Sequence, residues 1–171
     1  GNDGTLDYVK KNNYKYSYSE INNGMCIGCN KAASISKYDL ILYAHDDMYF
    51  CPNWDQFLID EVNKLDTKLF YLSGTMINGD PKLNGHLNFY AGENVKTFDE
   101  LKLLNNYKNL TCNDFQGSTW APHPIHKEVW NKVGGFSIEF SPGTGSDPDL
   151  NMKLWKLGVR IFKGVSLSLI H

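Results

Sequence analysis

Apolar residues in this chain gather into short runs of two kinds, separated by polar stretches. Asp39 to Ala44 (DLILYA) and Lys68 to Ser73 (KLFYLS) are continuous and of strand length, the pattern of a strand covered on both faces. Val159 to Phe162 and Val165 to Ile170 are weaker runs of the same kind, and Tyr14 to Tyr18 reads as a short Tyr-rich strand. Between them, Trp54 to Leu65 spaces Trp54, Phe57, Leu58, Val62 and Leu65 onto one helical face. Residues 5–12, Asn30 to Ser36, His126 to Val133 and Leu150 to Leu157 are further predicted helices, the last two stopped by Gly134-Gly135 and by Gly158. From Thr75 to Phe115 no period stands out, which predicts long loops. Strands alternating with helices predict α/β layers around a mostly parallel sheet. No repeat or linker divides the 171 residues, so one domain is expected.

Composition narrows the function classes. Seventeen basic and nineteen acidic residues leave a net charge of −2, which gives no bulk-charge basis for binding nucleic acid or an anionic membrane. An apolar fraction of 42% supports a sizeable core and argues against disorder. No apolar run approaches the ~18 residues of a membrane span. No signal peptide opens the sequence, so a cytoplasmic protein is expected, with membrane association only through partners. Cys26, Cys29, Cys51 and Cys112 are few for a disulfide scaffold, and the lone Cys26-x-x-Cys29 pair is a poor zinc signal. Buried, reduced thiols are the expectation.

Candidate chemistry begins at His45-Asp46-Asp47, directly after the apolar run DLILYA. The carboxyl end of a central strand is where open α/β sheets bind ligands. Two adjacent carboxylates there suit Mg²⁺ or Mn²⁺ holding substrate phosphates; they equally suit an exposed turn before the helix near Pro52. A second acidic cluster, Ser146-Asp147-Pro148-Asp149, follows a Gly/Pro-rich loop. Asp147 fits a helix N-cap with Pro148 in the first helical position, and the same carboxylate can face a cleft as a general base. His171, after the apolar run SLSLI, reads as structural or, with Asp47, as a cation ligand. Trp120 offers a ring that stacks on a sugar or simply fills the core.

The order of these motifs carries more than any one of them. Asn23-Gly24, Cys29-Asn30-Lys31-Ala32-Ala33, His45-Asp46-Asp47, Val133-Gly134-Gly135-Phe136 and Gly145-Ser146-Asp147-Pro148-Asp149-Leu150 follow one another as they do in GT-A-fold, family-2-like glycosyltransferases. The resemblance runs over nearly the whole chain. It implies a GT-A-like (nucleotide-diphospho-sugar transferase) three-layer sandwich and a metal-dependent, inverting, hexosyltransferase-like activity on an acceptor hydroxyl. The implied partners are a nucleotide-diphospho-sugar, a UDP-sugar favoured, and a glycan or other hydroxyl acceptor; the implied cofactor is Mn²⁺ or Mg²⁺.

Residue by residue, the resemblance sets His45-Asp46-Asp47 at the DxD-type position, with His45 where the first acid is usual. Asp46 then faces the ribose, and Asp47, His45 and His171 face the metal. Asp147 matches the catalytic base, with Asp149 as its rival. Asp3 and Asn30 are implied in nucleotide binding, and Trp120 with Ser118 in acceptor binding. Relatives usually carry a strand and helix before the Asn2-Asp3-Gly4-Thr5 segment, so the resemblance also implies truncation at the N-terminus. A binding module of the same fold without turnover is the alternative; product formation with Mn²⁺ separates the two.

Overall fold

The structure, a computed structural model, describes residues 3–82, 85–110, 115–116 and 120–170. Its helices are α1 (Thr5–Lys11), α2 (Gly24–Ser34), α3 (Trp54–Asn63), α4 (Glu100–Asn106), α5 (Lys127–Val133) and α6 (Ser146–Leu157). Its strands are β1 (Leu40–Tyr43), β2 (Tyr49–Phe50), β3 (Phe70–Asn78), β4 (His86–Asn88), β5 (Phe115–Gln116), β6 (His123–His126) and β7 (Ile161–Ile170).

The larger sheet has the order β2-β7-β3-β4, with β5 also on β7. Its centre is parallel: β3 pairs β7 from Phe70–Ile161 to Ile77–Ile170, and β3 pairs β4 on its other edge. Antiparallel pairs flank that centre, β2 and β5 on β7 and, separately, β1 on β6. The β3–β7 register shifts between Ser73 and Thr75. At that irregularity the Gly74 N–H donates to the Pro122 carbonyl at 3.1 Å and Gly74 bridges Trp120, tying the β1–β6 pair to the larger sheet. The fold is α/β with a three-stranded parallel core.

Side-chain alternation explains the layers. Tyr71 of β3 and Phe162 of β7 face one core with Cys26 and Ala33 of α2, Val129 and Trp130 of α5, and Leu150 and Leu154 of α6. Val165 of β7 lies instead under α3, packed on Leu58 and Trp54. A third cluster gathers Cys51, Ile77, Ala91, Leu103 and Tyr107 at the α4 end. Each fully buried Leu of the first core contributes about 1.5–3 kcal/mol.

Several local expectations need correction. Tyr14 to Tyr18 is not a strand: the three tyrosines are exposed and, among the described residues, find no strand to pair with. DLILYA does form β1, but Leu42 is 38% exposed because β6 is its one hydrogen-bonded neighbour among the described residues. The helix expected from Asn30 starts at Gly24, whose φ of +78° admits the turn. In α3 the fully buried residue is Leu58, while Phe57 is exposed. The two weak terminal runs are one strand, β7. The stretch expected to be loop contains the end of β3 from Thr75 to Asn78 and all of β4 and α4, the last capped by the Asp99 side chain on the Lys102 N–H.

Helix α6 begins one residue before Asp147. Gly145, at φ +83°, is the N-cap, so Asp147 lies inside the first turn without a side-chain capping bond. The expected Asp147 N-cap is therefore replaced by a glycine entry, which the Gly143-Thr144-Gly145 loop makes accessible. At the other end Gly158, at φ +106°, closes α6 as predicted, with the Val159 N–H reaching back to the Leu154 carbonyl.

Candidate functional site

Strand β1 carries the site outward from the core. Tyr43, its last residue, is 8% exposed and packs edge-on against Phe136. Behind it lies a layered stack in which the His123 ring sits between Tyr43 and Tyr71, near-parallel to both, at centroid distances of 5.9 and 4.7 Å. His123 Nδ1 donates to the Leu72 carbonyl at 3.1 Å. Burial pushes the His123 pKa down to about 4, so the ring is neutral and serves as packing.

Two residues beyond Tyr43 stands His45. The Tyr43 hydroxyl and His45 Nε2 are 2.8 Å apart. Burial first, then the charges of Asp147 and other neighbours, raise the Tyr43 pKa far above its ordinary value. The hydroxyl keeps its proton, and His45 Nδ1, on the other side of the ring, is 4.0 Å from Asp47 Oδ1.

Asp147 reaches the same place from α6. Its carboxylate acts electrostatically on Tyr43, Tyr71 and Cys29, and His45 acts on it in turn. Tyr43 feels both Asp47 and Asp147, so carboxylates one hundred positions apart in sequence share one neighbourhood. Asp147 keeps a face open to solvent, yet the protein packed around it raises its pKa, with the nearby His45 ring acting in the opposite direction. Asp149 is placed differently: it accepts from the Ser137 hydroxyl at 2.6 Å and pairs with Lys153 at 3.5 Å. It braces the loop before α6 and is poorly disposed to take a proton from a ligand.

The other expected residues separate. Asn30 spends its side chain on one backbone unit, donating to the Phe136 carbonyl at 2.8 Å and accepting from the Phe136 N–H at 2.9 Å. A nucleotide contact through that amide would have to break this pair. Asp3 is exposed at the start of α1, where the Thr5 side chain first and then the Thr5 N–H, which donates to Asp3 Oδ1, lower its pKa. Trp120 is half-buried beside β3. Ser118 and His171 lie outside the described residues, as does Cys112. Cys26, Cys29 and Cys51 are free thiols, and burial pushes the Cys29 and Cys51 pKa values up to about 11.

Asp46 and Asp47 are exposed in the turn after β1 and help to line a cleft of about 930 Å³. Ile77 lies in its floor, and Phe89, Tyr90 and Phe98 are among its aromatic walls. Trp120 is not among the described residues that line it. Among the described residues no three His, Cys, Asp or Glu side chains gather as a metal cage. Mg²⁺ and Mn²⁺ substrate sites do not need one, since one or two carboxylates with phosphate oxygens and water suffice. Two hard-oxygen side chains at the mouth of an open cleft fit that chemistry.

Sequence reasoning missed the Tyr43–His123–Tyr71 stack and the cleft walls. One signal was present: Tyr43 and His45 are two residues apart at a strand end, which points both to one face. No helix among the described residues is long and apolar enough to cross a membrane. Compared with known families, residues 1–127 match the model of glycosyl transferase family 2. No curated protein matches the chain.

Proposed function

Because the chain belongs to glycosyl transferase family 2, we propose that it transfers a hexosyl group from a nucleotide-diphosphate sugar to an acceptor hydroxyl with inversion. The observation that carries this reading is the shared electrostatic neighbourhood of Asp47 and Asp147 around Tyr43. In an inverting displacement the acceptor oxygen bonds to the anomeric carbon as the bond from that carbon to the diphosphate oxygen breaks. A base is needed on the acceptor side and charge neutralisation on the leaving side. Asp147 is the base: its carboxylate is ionised above its raised pKa, has an open face, and makes no hydrogen bond among the described residues. The proton leaves the acceptor hydroxyl for that carboxylate.

Asp47, with His171, would hold Mn²⁺ or Mg²⁺, which when bound neutralises the departing diphosphate. His45 Nδ1 lies 4.0 Å from Asp47 Oδ1, and the Tyr43 hydroxyl, 2.8 Å from Nε2, fixes the His45 ring beside that carboxylate. Asp46 is assigned to the donor ribose and a UDP-sugar is the favoured donor, both from the family resemblance.

The test is Asp147→Asn. It is expected to cut transfer by ~10²–10⁴-fold, the usual cost of losing a positioned base. Donor binding, read as a thermal shift with UDP-, GDP- and TDP-sugars and Mn²⁺, is expected to be unchanged. Transfer at the wild-type rate would refute the assignment.

A further inference from the structure

The cleft beside Asp46 and Asp47 has a charge pattern that restricts what can enter it. Four carboxylates line it, Asp46, Asp47, Asp80 and Glu93, and no Lys, Arg or His does so among the described residues. The nearby Lys102 ammonium is stationed 5.6 Å from the ring centroids of both Phe89 and Tyr90 and is not part of the lining. Asp46 and Asp47 stand at the turn assigned to the donor and its cation, which leaves Asp80 and Glu93 as the charges facing the remainder of the space.

The walls have their own preference. Tyr90 is 50% exposed and, with Phe89, offers an aromatic surface to the cleft. Aromatic faces of this kind suit the C–H faces of a sugar ring and cations, and are repelled by anions. The polar groups nearby are committed in a way that sharpens the pattern. Asn78 Oδ1 accepts the Asp80 N–H at 2.7 Å, and Asp80 Oδ1 accepts the Lys82 N–H at 2.9 Å. Thr97 Oγ1 accepts the Glu93 and Asn94 N–H groups at 3.0 and 3.2 Å. The backbone donors at Asp80, Glu93 and Asn94 are thus consumed by the loops themselves and are not offered to an anionic group.

Resting on the glycosyl-transfer reading above, we propose that this cleft receives the acceptor, and that the acceptor is a sugar without anionic groups, neutral or amine-bearing. A phosphorylated or uronic-acid sugar would bring its charge against Asp80 and Glu93 with no basic side chain among the described lining residues to compensate, in a partly enclosed space where such repulsion is weakly screened.

Binding of three methyl glycosides to the full chain tests this independently of turnover: methyl glucoside, the methyl glycoside of glucosamine, and methyl glucuronide, each titrated by NMR at low salt. The glucosamine glycoside is expected to bind at least as well as the glucoside, and the glucuronide about tenfold more weakly. The double variant Asp80→Asn/Glu93→Gln is expected to bring the glucuronide to parity with the glucoside. Tyr90→Ala is expected to weaken all three. Glucuronide binding equal to or tighter than glucoside binding in the wild type, a preference unmoved by the double variant, or no binding of any glycoside would overturn the proposal. Donor hydrolysis with Mn²⁺ is followed in parallel: its absence beside the expected binding order would strike the glycosyl-transfer reading alone.

Discussion

At the scale of single residues, the site combines groups whose environments push them apart. Asp147 has a raised pKa, so in the role of base proposed for it the carboxylate is lost to protonation at a higher pH than an ordinary aspartate. The acid limb of the transfer rate should therefore fall above the usual aspartate range of about 3.9. The same shift has a stability consequence. A carboxyl whose pKa rises on folding favours the folded state when protonated, and that contribution disappears as pH rises through the folded pKa. Asp147→Asn is thus expected to melt at a higher temperature than wild type at pH 7 and to lose that advantage at pH 3, as scanning calorimetry would show.

His123 works in the opposite sense. Its pKa falls from 6.5 to about 4, so its contribution to stability is present above pH 6.5 and is lost as pH falls towards 4. At pH 5 the loss amounts to about 2 kcal/mol relative to neutral pH. Urea titrations at pH 7 and 5 should show that decline in the wild type and a shallower one in His123→Phe, which keeps an aromatic ring in the stack and cannot titrate. An equal decline in both proteins would remove His123 from the account.

At the scale of elements, the joint between α2 and the turn before the last helix is set by one side chain. Asn30 holds the Phe136 backbone through both ends of its amide, the nitrogen donating and the oxygen accepting. Gly135 must be glycine for that approach: at φ +65° a Cβ would sit 2.3 Å from Asn30 Oδ1 and 2.9 Å from the Trp130 ring. Asn30→Ala removes two hydrogen bonds and leaves a half-buried backbone unit without its partner, at a cost of about 2–4 kcal/mol. Asn30→Asp, which keeps the acceptor and loses the donor, should fall between the two in chemical denaturation. This is also the element scale at which sequence reading succeeded unevenly. The glycine stops of α5 and α6 were legible because a left-handed closing residue has a chemical signature. The start of α6 was not, since Asp147-Pro148 imitates a cap that Gly145 supplies. Helix α4 was hidden because its short face buries only Leu103, too little to print a period.

For the molecule as a whole, the motif order in the sequence disclosed the fold family, and the structure brings its distant pieces together. Asp47 and Asp147, one hundred positions apart, both act electrostatically on Tyr43. What no motif could disclose was the cleft, because its walls come from the irregular stretch after β3 and from aromatic residues that carry no spacing rule. Nor could spacing tell which of Asp147 and Asp149 is braced. That depends on Ser137 and Lys153, contacts made only once α6 has packed.

Strand β3 has one more implication. Tyr71 near its start belongs to the stack behind Asp147, and Ile77 near its end lies in the cleft floor, so a single rigid ribbon underlies both. The segment from Ala91 to Asp99 is tethered to itself instead, with the Asp99 N–H on the Ala91 carbonyl at 2.7 Å and Thr97 bridging its interior. On the reading proposed above, chemistry and recognition stand towards opposite ends of one strand, and exchanging the self-tethered segment would alter which molecule is modified while the machinery that modifies it stays where it is.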